Sequence, residues 1–153
     1  MSIAEELPAA RTLDEGHARA LAERLHRGQH DGGGAPLIDH VARVAAAVTT
    51  DARVAAWLHE VFEYTPTSEE DLLAEGVSTE ELRALRLLTR DRASRSSTRY
   101  LGHVRLIADA VGPGADIARQ VKHADLVDRA AHPTGGGGWS PPYALGLEIL
   151  RRY

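Results

Sequence analysis

Cysteine is absent from the 153-residue chain, which removes disulfides, thiolate metal sites and a cysteine nucleophile together. Lysine is nearly absent: Lys122 is the single one, and arginine supplies every other side-chain cation of that kind. Arginine suits bidentate recognition of carboxylate or phosphate. Aromatic residues make up only 5% and β-branched residues are sparse beside abundant alanine and leucine, a balance that favours helix over sheet. No apolar stretch approaches the ~20 residues that a membrane span requires. The N-terminal MSIAEELPAAR has no basic region followed by an apolar run, so no secretory signal is read there and a cytoplasmic location is the default expectation. A net charge of −4 speaks against duplex nucleic acid as a partner, since that binding needs a cationic face.

What remains is the length of one domain, with 43% hydrophobic and 26% charged residues, ordinary values for a globular core. Thr12 and Glu15 have capping-box spacing, and Leu13, His17, Leu21 and Leu25 recur every fourth residue, which predicts a first helix running to about Gly28. Gly32, Gly33, Gly34 and Pro36 break it. A second helix is expected from Leu37, with Val41, Val44, Ala45 and Val48 on one stripe. A third is expected over Asp51 to Tyr64, apolar around most of its girth and therefore central. Thr67 with Glu70 predicts a cap for a short fourth helix ending at Gly76, and Leu82, Leu85 and Leu88 mark a fifth. A sixth is expected over Tyr100 to Val111, a seventh from Ala115 to about Ala131, and a last one after Pro141 and Pro142. The run Gly135 to Gly138 reads as a loop. No strand pattern emerges, so the fold class is all-α, a single domain of seven to eight helices.

Within the central helix, His59, Glu60 and Glu63 stand out against apolar neighbours. At roughly 100° per residue, Glu63 lies about 40° from His59, which places an imidazole and two carboxylates on a narrow face. Burying an ionised carboxylate without a partner costs several kcal/mol, so a cation should sit opposite, and mixed nitrogen and oxygen donors suit Mn, Fe, Zn or Co. The alternative is a hydrogen-bonded core histidine beside an exposed Glu60. A zinc-protease pattern is excluded, because the position four residues after His59 is Glu63 rather than a second histidine. His40 opens the second helix after the glycine-rich loop, and Asp125 stands in an otherwise apolar stretch, where it could instead pair with Arg119 or Arg129. His17, His103 and His132 read as surface or capping residues.

Taken in order, the strings HRGQHDGGGAPLIDHVARVA, AAWLHEVFEYTPTSEEDL and VKHADLVDRAAHPTGGGGWSPPYALGLEIL resemble the HD-domain phosphohydrolases. The likeness is to the single-domain hydrolases related to the (p)ppGpp hydrolase half of the RelA/SpoT enzymes. It covers most of the chain from about Leu21 onward and includes the Gly-Trp-Ser at Trp139. The resemblance implies an HD-type helical bundle in which His40, His59, Glu60 and Asp125 bind one divalent metal, manganese first among the candidates. It also implies hydrolysis of a small phosphorylated metabolite, a nucleotide. The acid pair that helps to activate water in that family falls on Glu63 and Tyr64, so water activation rests on Glu63, while the Tyr64 phenol can donate to a phosphate oxygen.

The chain departs from the family pattern at four positions. Glu60 replaces an aspartate ligand, and Tyr64 replaces the second acid. Asp31 stands where the (p)ppGpp hydrolases have an arginine, which argues against (p)ppGpp itself and leaves His30 to stack on a base. Arg129 stands where an asparagine is usual, and it could hold a phosphate, as could Lys122. Two further readings stay open. One is a catalytically degenerate protein that binds metal or nucleotide as a sensor or interaction module. The other is an HD-type fold with oxygen-dependent chemistry, for which His26, His30 and His123 are the additional imidazoles.

Overall fold

The computed structural model describes residues 12–90, 95–133 and 139–152, and among them every regular element is helical apart from an isolated bridge between His30 and Pro36. In order these are α1 (Glu15–Leu25), α2 (Leu37–Ala46), a 3-10 turn (Thr50–Ala52), α3 (Arg53–Leu58), α4 (Val61–Tyr64), α5 (Glu69–Glu75), α6 (Thr79–Leu88), α7 (Ser97–Asp109), α8 (Ala115–Ala131) and α9 (Tyr143–Leu150). The all-α expectation is borne out. The loop expected at Gly135 to Gly138 lies outside the described residues.

Side-chain caps open α1, α5, α6 and α7, and the first two of these caps differ by a residue or two from the sequence expectation. The cap of α1 is Asp14, whose carboxylate accepts from the His17 amide at 2.8 Å, rather than Thr12. The Leu13 amide is already committed to the Gly76 carbonyl at 2.9 Å, so the chain is pinned one residue before the Asp14 cap. At α5 the capping box is Ser68 with Asp71, one residue beyond Thr67 and Glu70, because the Thr65 and Thr67 hydroxyls bond each other. Ser78 and Glu81 form the same box for α6.

The larger correction concerns the third helix, which is divided into the 3-10 turn, α3 and α4. His59 donates from Nδ1 to the Ala56 carbonyl at 2.6 Å, which the backbone ladder would otherwise use, while the His59 amide reaches that same oxygen at only 3.5 Å. A side chain competing for the ladder in this way weakens and bends a helix at that point. His59 and Glu60 therefore stand at a junction between two helices, and the simple angular count along one helix does not apply.

Helix α8 is the axis of the molecule, packing on α2, α3, α6, α7 and α9. Its apolar face carries Ile117, Ala118, Val121 and Leu126 into a core shared with Val41, Val44, Leu58, Val61, Leu85, Val104 and Ile107. Removing a fully buried side chain such as Leu126 by mutation to alanine should cost about 2–5 kcal/mol. The helix begins at Gly114, which has a φ of +81°, and a Cβ there would stand 2.5 Å from the Glu80 carbonyl oxygen and 3.0 Å from the Ala84 nitrogen. Only glycine allows α8 to start this close to α6.

His103 is half-buried on α7 rather than a surface residue, and it takes the capping role that the sequence also allows, hydrogen-bonding the Leu87 carbonyl at the end of α6 through Nε2 at 2.8 Å. Burial, reinforced by Lys122, lowers its pKa to about 4. The unfolded chain, with an ordinary histidine near 6.5, therefore binds this proton more readily, so the contribution is fully present above pH 6.5 and is lost as pH falls from 6.5 toward 4. Histidine-to-glutamine substitution at position 103 should flatten that loss. By chemical denaturation, wild type should lose about 1–2 kcal/mol more than His103→Gln between pH 7 and pH 5, with solvent screening favouring the lower figure.

Candidate metal centre

Three parts of the chain converge beside the middle of α8. The first turn of α2 supplies His40, the α3–α4 junction supplies His59 and Glu60, and α8 supplies Asp125, all of them buried. One donor atom from each lies within 4.8 Å of the other three. The sequence expectation that these residues meet is thus fulfilled in space, and Glu60 is not the exposed helix residue of the alternative reading.

Each imidazole is oriented by its other nitrogen. His40 Nδ1 lies 2.6 Å from Asp128 Oδ2, and Asp128 also accepts from Arg43 through Nε at 2.6 Å and Nη2 at 3.1 Å. His59 Nδ1 faces the Ala56 carbonyl, which can only accept. In the neutral tautomer both Nδ1 atoms therefore carry the proton, and both Nε2 atoms present a lone pair to the cluster. The two Nε2 atoms are buried and neither is aligned for a hydrogen bond.

The spacing fits a shared ion. Ligands 2.0–2.2 Å from one ion stand roughly 3.0–3.6 Å apart when adjacent. His40 Nε2 is 3.0 Å from Asp125 Oδ1, His59 Nε2 is 3.0 Å from Glu60 Oε1, and the two crossed pairs are 3.6 Å. Two imidazoles with two carboxylates form a mixed donor set suited to a first-row divalent ion.

Protein cations also reach these carboxylates. Arg129 donates from Nη2 to Glu60 Oε1 at 2.8 Å and from Nε to Asp125 Oδ1 at 2.9 Å, and Lys122 Nζ lies 3.2 Å from Asp125 Oδ2. Burial pushes the carboxyls of Glu60 and Asp125 up, but His59 and Arg129 beside the first, and Arg129 and Lys122 beside the second, hold both well below the usual range. Burial likewise lowers His59, yet Glu60 and Asp125 overcome it and hold the imidazole at about 10. Proton and metal ion therefore compete for the same nitrogen, and ion binding releases protons.

A cavity of about 200 Å³ opens over the cluster, lined by His59, Glu60 and Asp125 and also by Glu63, Tyr64, Lys122 and Arg129. His30 does not line it and is exposed in its loop. Asp31 accepts from the Gly33 and Ala35 amides and shapes that loop. Arg119, one suggested partner of Asp125, instead bonds Asp116. Sequence reasoning missed Arg90, Tyr100 and Tyr143 on the cavity wall and Asp128 behind His40. Asp128 had a legible signal, because it follows Asp125 by three residues on the same helix face.

A divalent ion held here should stabilise the fold by ~2.7 kcal/mol when present at a hundred times its dissociation constant. His40→Ala should abolish that increment, and Asp128→Ala should weaken ion binding ~10–100-fold by freeing the His40 ring. Thermal unfolding with added divalent ions and with chelator, alongside calorimetric titration, measures both. An unchanged melting temperature under all of these conditions would rule out an ion in this cluster.

Neither the known family models nor the curated proteins contain a match to this chain, so no family is assigned. What stands is an all-α protein with a buried His/His/Glu/Asp cluster that could hold a metal ion. No described helix is long and apolar enough to cross a membrane.

Proposed function

We propose that this protein is a metal-dependent phosphohydrolase acting on a small phosphorylated metabolite, a nucleotide, with one divalent ion, manganese by preference, held by His40, His59, Glu60 and Asp125. The observation that carries this reading is the pair of buried Nε2 atoms without hydrogen-bond partners, facing two carboxylates at the floor of a cation-lined cavity. The residue order shared with the HD-domain phosphohydrolases supports it. At about 200 Å³ the cavity is smaller than the 300–1,000 Å³ of typical small-molecule sites, so it encloses the phosphorylated end of a substrate rather than a whole nucleotide.

A bound divalent ion would supply Lewis acidity, lowering the pKa of water and neutralising negative charge on the phosphoryl oxygens. The chain's own groups do the rest. Lys122 and Arg129 neutralise phosphoryl oxygens, and the Tyr64 hydroxyl donates to one of them. Glu63 orients the attacking water and takes its proton as the water oxygen bonds to phosphorus and the bond to the leaving oxygen breaks. Burial, aided by the negative charge of Glu60, raises the Glu63 carboxyl, which makes it a stronger base once ionised. The Arg90 amide fixes Glu63 Oε1 at 3.0 Å.

One observation favours a second reading, a degenerate protein that binds without turnover: Arg129 already bridges the two candidate ligand carboxylates. Release of phosphate or pyrophosphate from a nucleotide panel with manganese separates the two. Under the first reading Glu63→Gln should lower kcat by at least ~100-fold with little change in affinity, while Tyr64→Phe should raise KM. A wild type that binds nucleotide and releases nothing, alongside an active Glu60→Asp, Tyr64→Asp double variant, would establish the second.

A further inference from the structure

Arg129 occupies an unusual place for a residue beside a metal site. Its guanidinium bonds Glu60 Oε1 and Asp125 Oδ1, the same two oxygens that lie 3.0 Å from the imidazole nitrogens of His59 and His40. Lys122 takes the other Asp125 oxygen. Two carboxylates thus face two cations that lie outside the candidate ligand set, and their charge is already countered before any ion arrives. A divalent ion placed among these donors adds two positive charges next to a guanidinium in a poorly screened interior, where like charges repel strongly.

The side chain also has somewhere to go. It is 26% exposed. It forms part of the wall of the main cavity and of a second space of about 130 Å³, the latter lined also by His132, Pro133, Ser140 and Tyr143. An anion in the main cavity would offer the guanidinium and Lys122 a new partner and leave the carboxylates to the ion.

We propose that Arg129 is a resident counter-cation of the metal centre, displaced by an oxyanion of the phosphate class, so that ion and anion bind cooperatively and each binds weakly alone. This rests on the metal-binding reading above. The coupling is reciprocal: the factor by which phosphate tightens the ion is the factor by which the ion tightens phosphate. Arg129 is then the residue that makes ion occupancy conditional on substrate.

Mn²⁺ binding to the full chain, followed by electron paramagnetic resonance of the free ion with and without excess inorganic phosphate, tests this. Wild type should bind Mn²⁺ at least ~10-fold more tightly with phosphate, within the usual range of coupling between sites. Arg129→Gln should bind Mn²⁺ without phosphate at least ~10-fold more tightly than wild type, a change of about 1.4 kcal/mol, and should lose most of the phosphate effect. Arg129→Lys, which keeps the charge, should retain phosphate dependence and guards against a glutamine variant that misfolds. If wild-type affinity ignores phosphate, or Arg129→Gln binds Mn²⁺ no better than wild type, the counter-cation role is wrong while the metal centre stands. If no variant binds Mn²⁺ under either condition, the metal-centre reading falls and this one with it.

Discussion

Glu60 and Asp125 bring two carboxylates into the interior of a helical bundle, where each would cost several kcal/mol if left without positive charge. Much of the surrounding architecture answers to that cost. Helix α8 presents Lys122, Asp125 and Arg129 along one side, so the acid and two of its counter-charges come from a single rigid element. His40 and His59 approach from α2 and from the α3–α4 junction, and Asp128 with Arg43 orients the first of them. The cluster already pairs with a guanidinium, and its buried nitrogen and oxygen donors could hold a divalent ion.

Much of the fold was legible because punctuation marks its helices. Gly112, Pro113 and Gly114 announce the start of α8, and Pro36 announces α2; both helices begin where the sequence places them. Periodicity failed where a side chain, rather than a backbone breaker, interrupts a helix. Nothing in the run from Arg53 to Tyr64 contains glycine or proline, so the division at His59 was invisible until the Nδ1 bond to Ala56 could be seen. The caps of α1 and α5 slipped by one or two residues because neighbouring groups, the Leu13 amide and the Thr65 hydroxyl, were already engaged elsewhere.

At the site, the residues His40, His59, Glu60 and Asp125 were recoverable from order and burial, since polar residues in apolar stretches must find one another. The wall of the cavity was not. Tyr100 and Tyr143 come from helices with no polar pattern to flag them, and Arg90 follows a helix end. The sequence offers Arg129 both as a phosphate-holding residue and as a partner of Asp125, and the structure pairs it with Asp125 and also with Glu60. His30, offered by the sequence as a stacking residue, is exposed and does not line the cavity.

The tight start of α8 carries a mechanical meaning for the whole molecule. Asp125 lies eleven residues beyond Gly114, about 16 Å along the helix axis. With the first turn seated against the backbone of α6 at Glu80 and Ala84, the helix cannot slide or turn without leaving that seat. A slip of one residue would rotate every α8 side chain by about 100° and carry Lys122, Asp125, Asp128 and Arg129 away from the histidines together. Position 114 thus acts as a datum, a fixed origin from which the registration of four charged groups is measured.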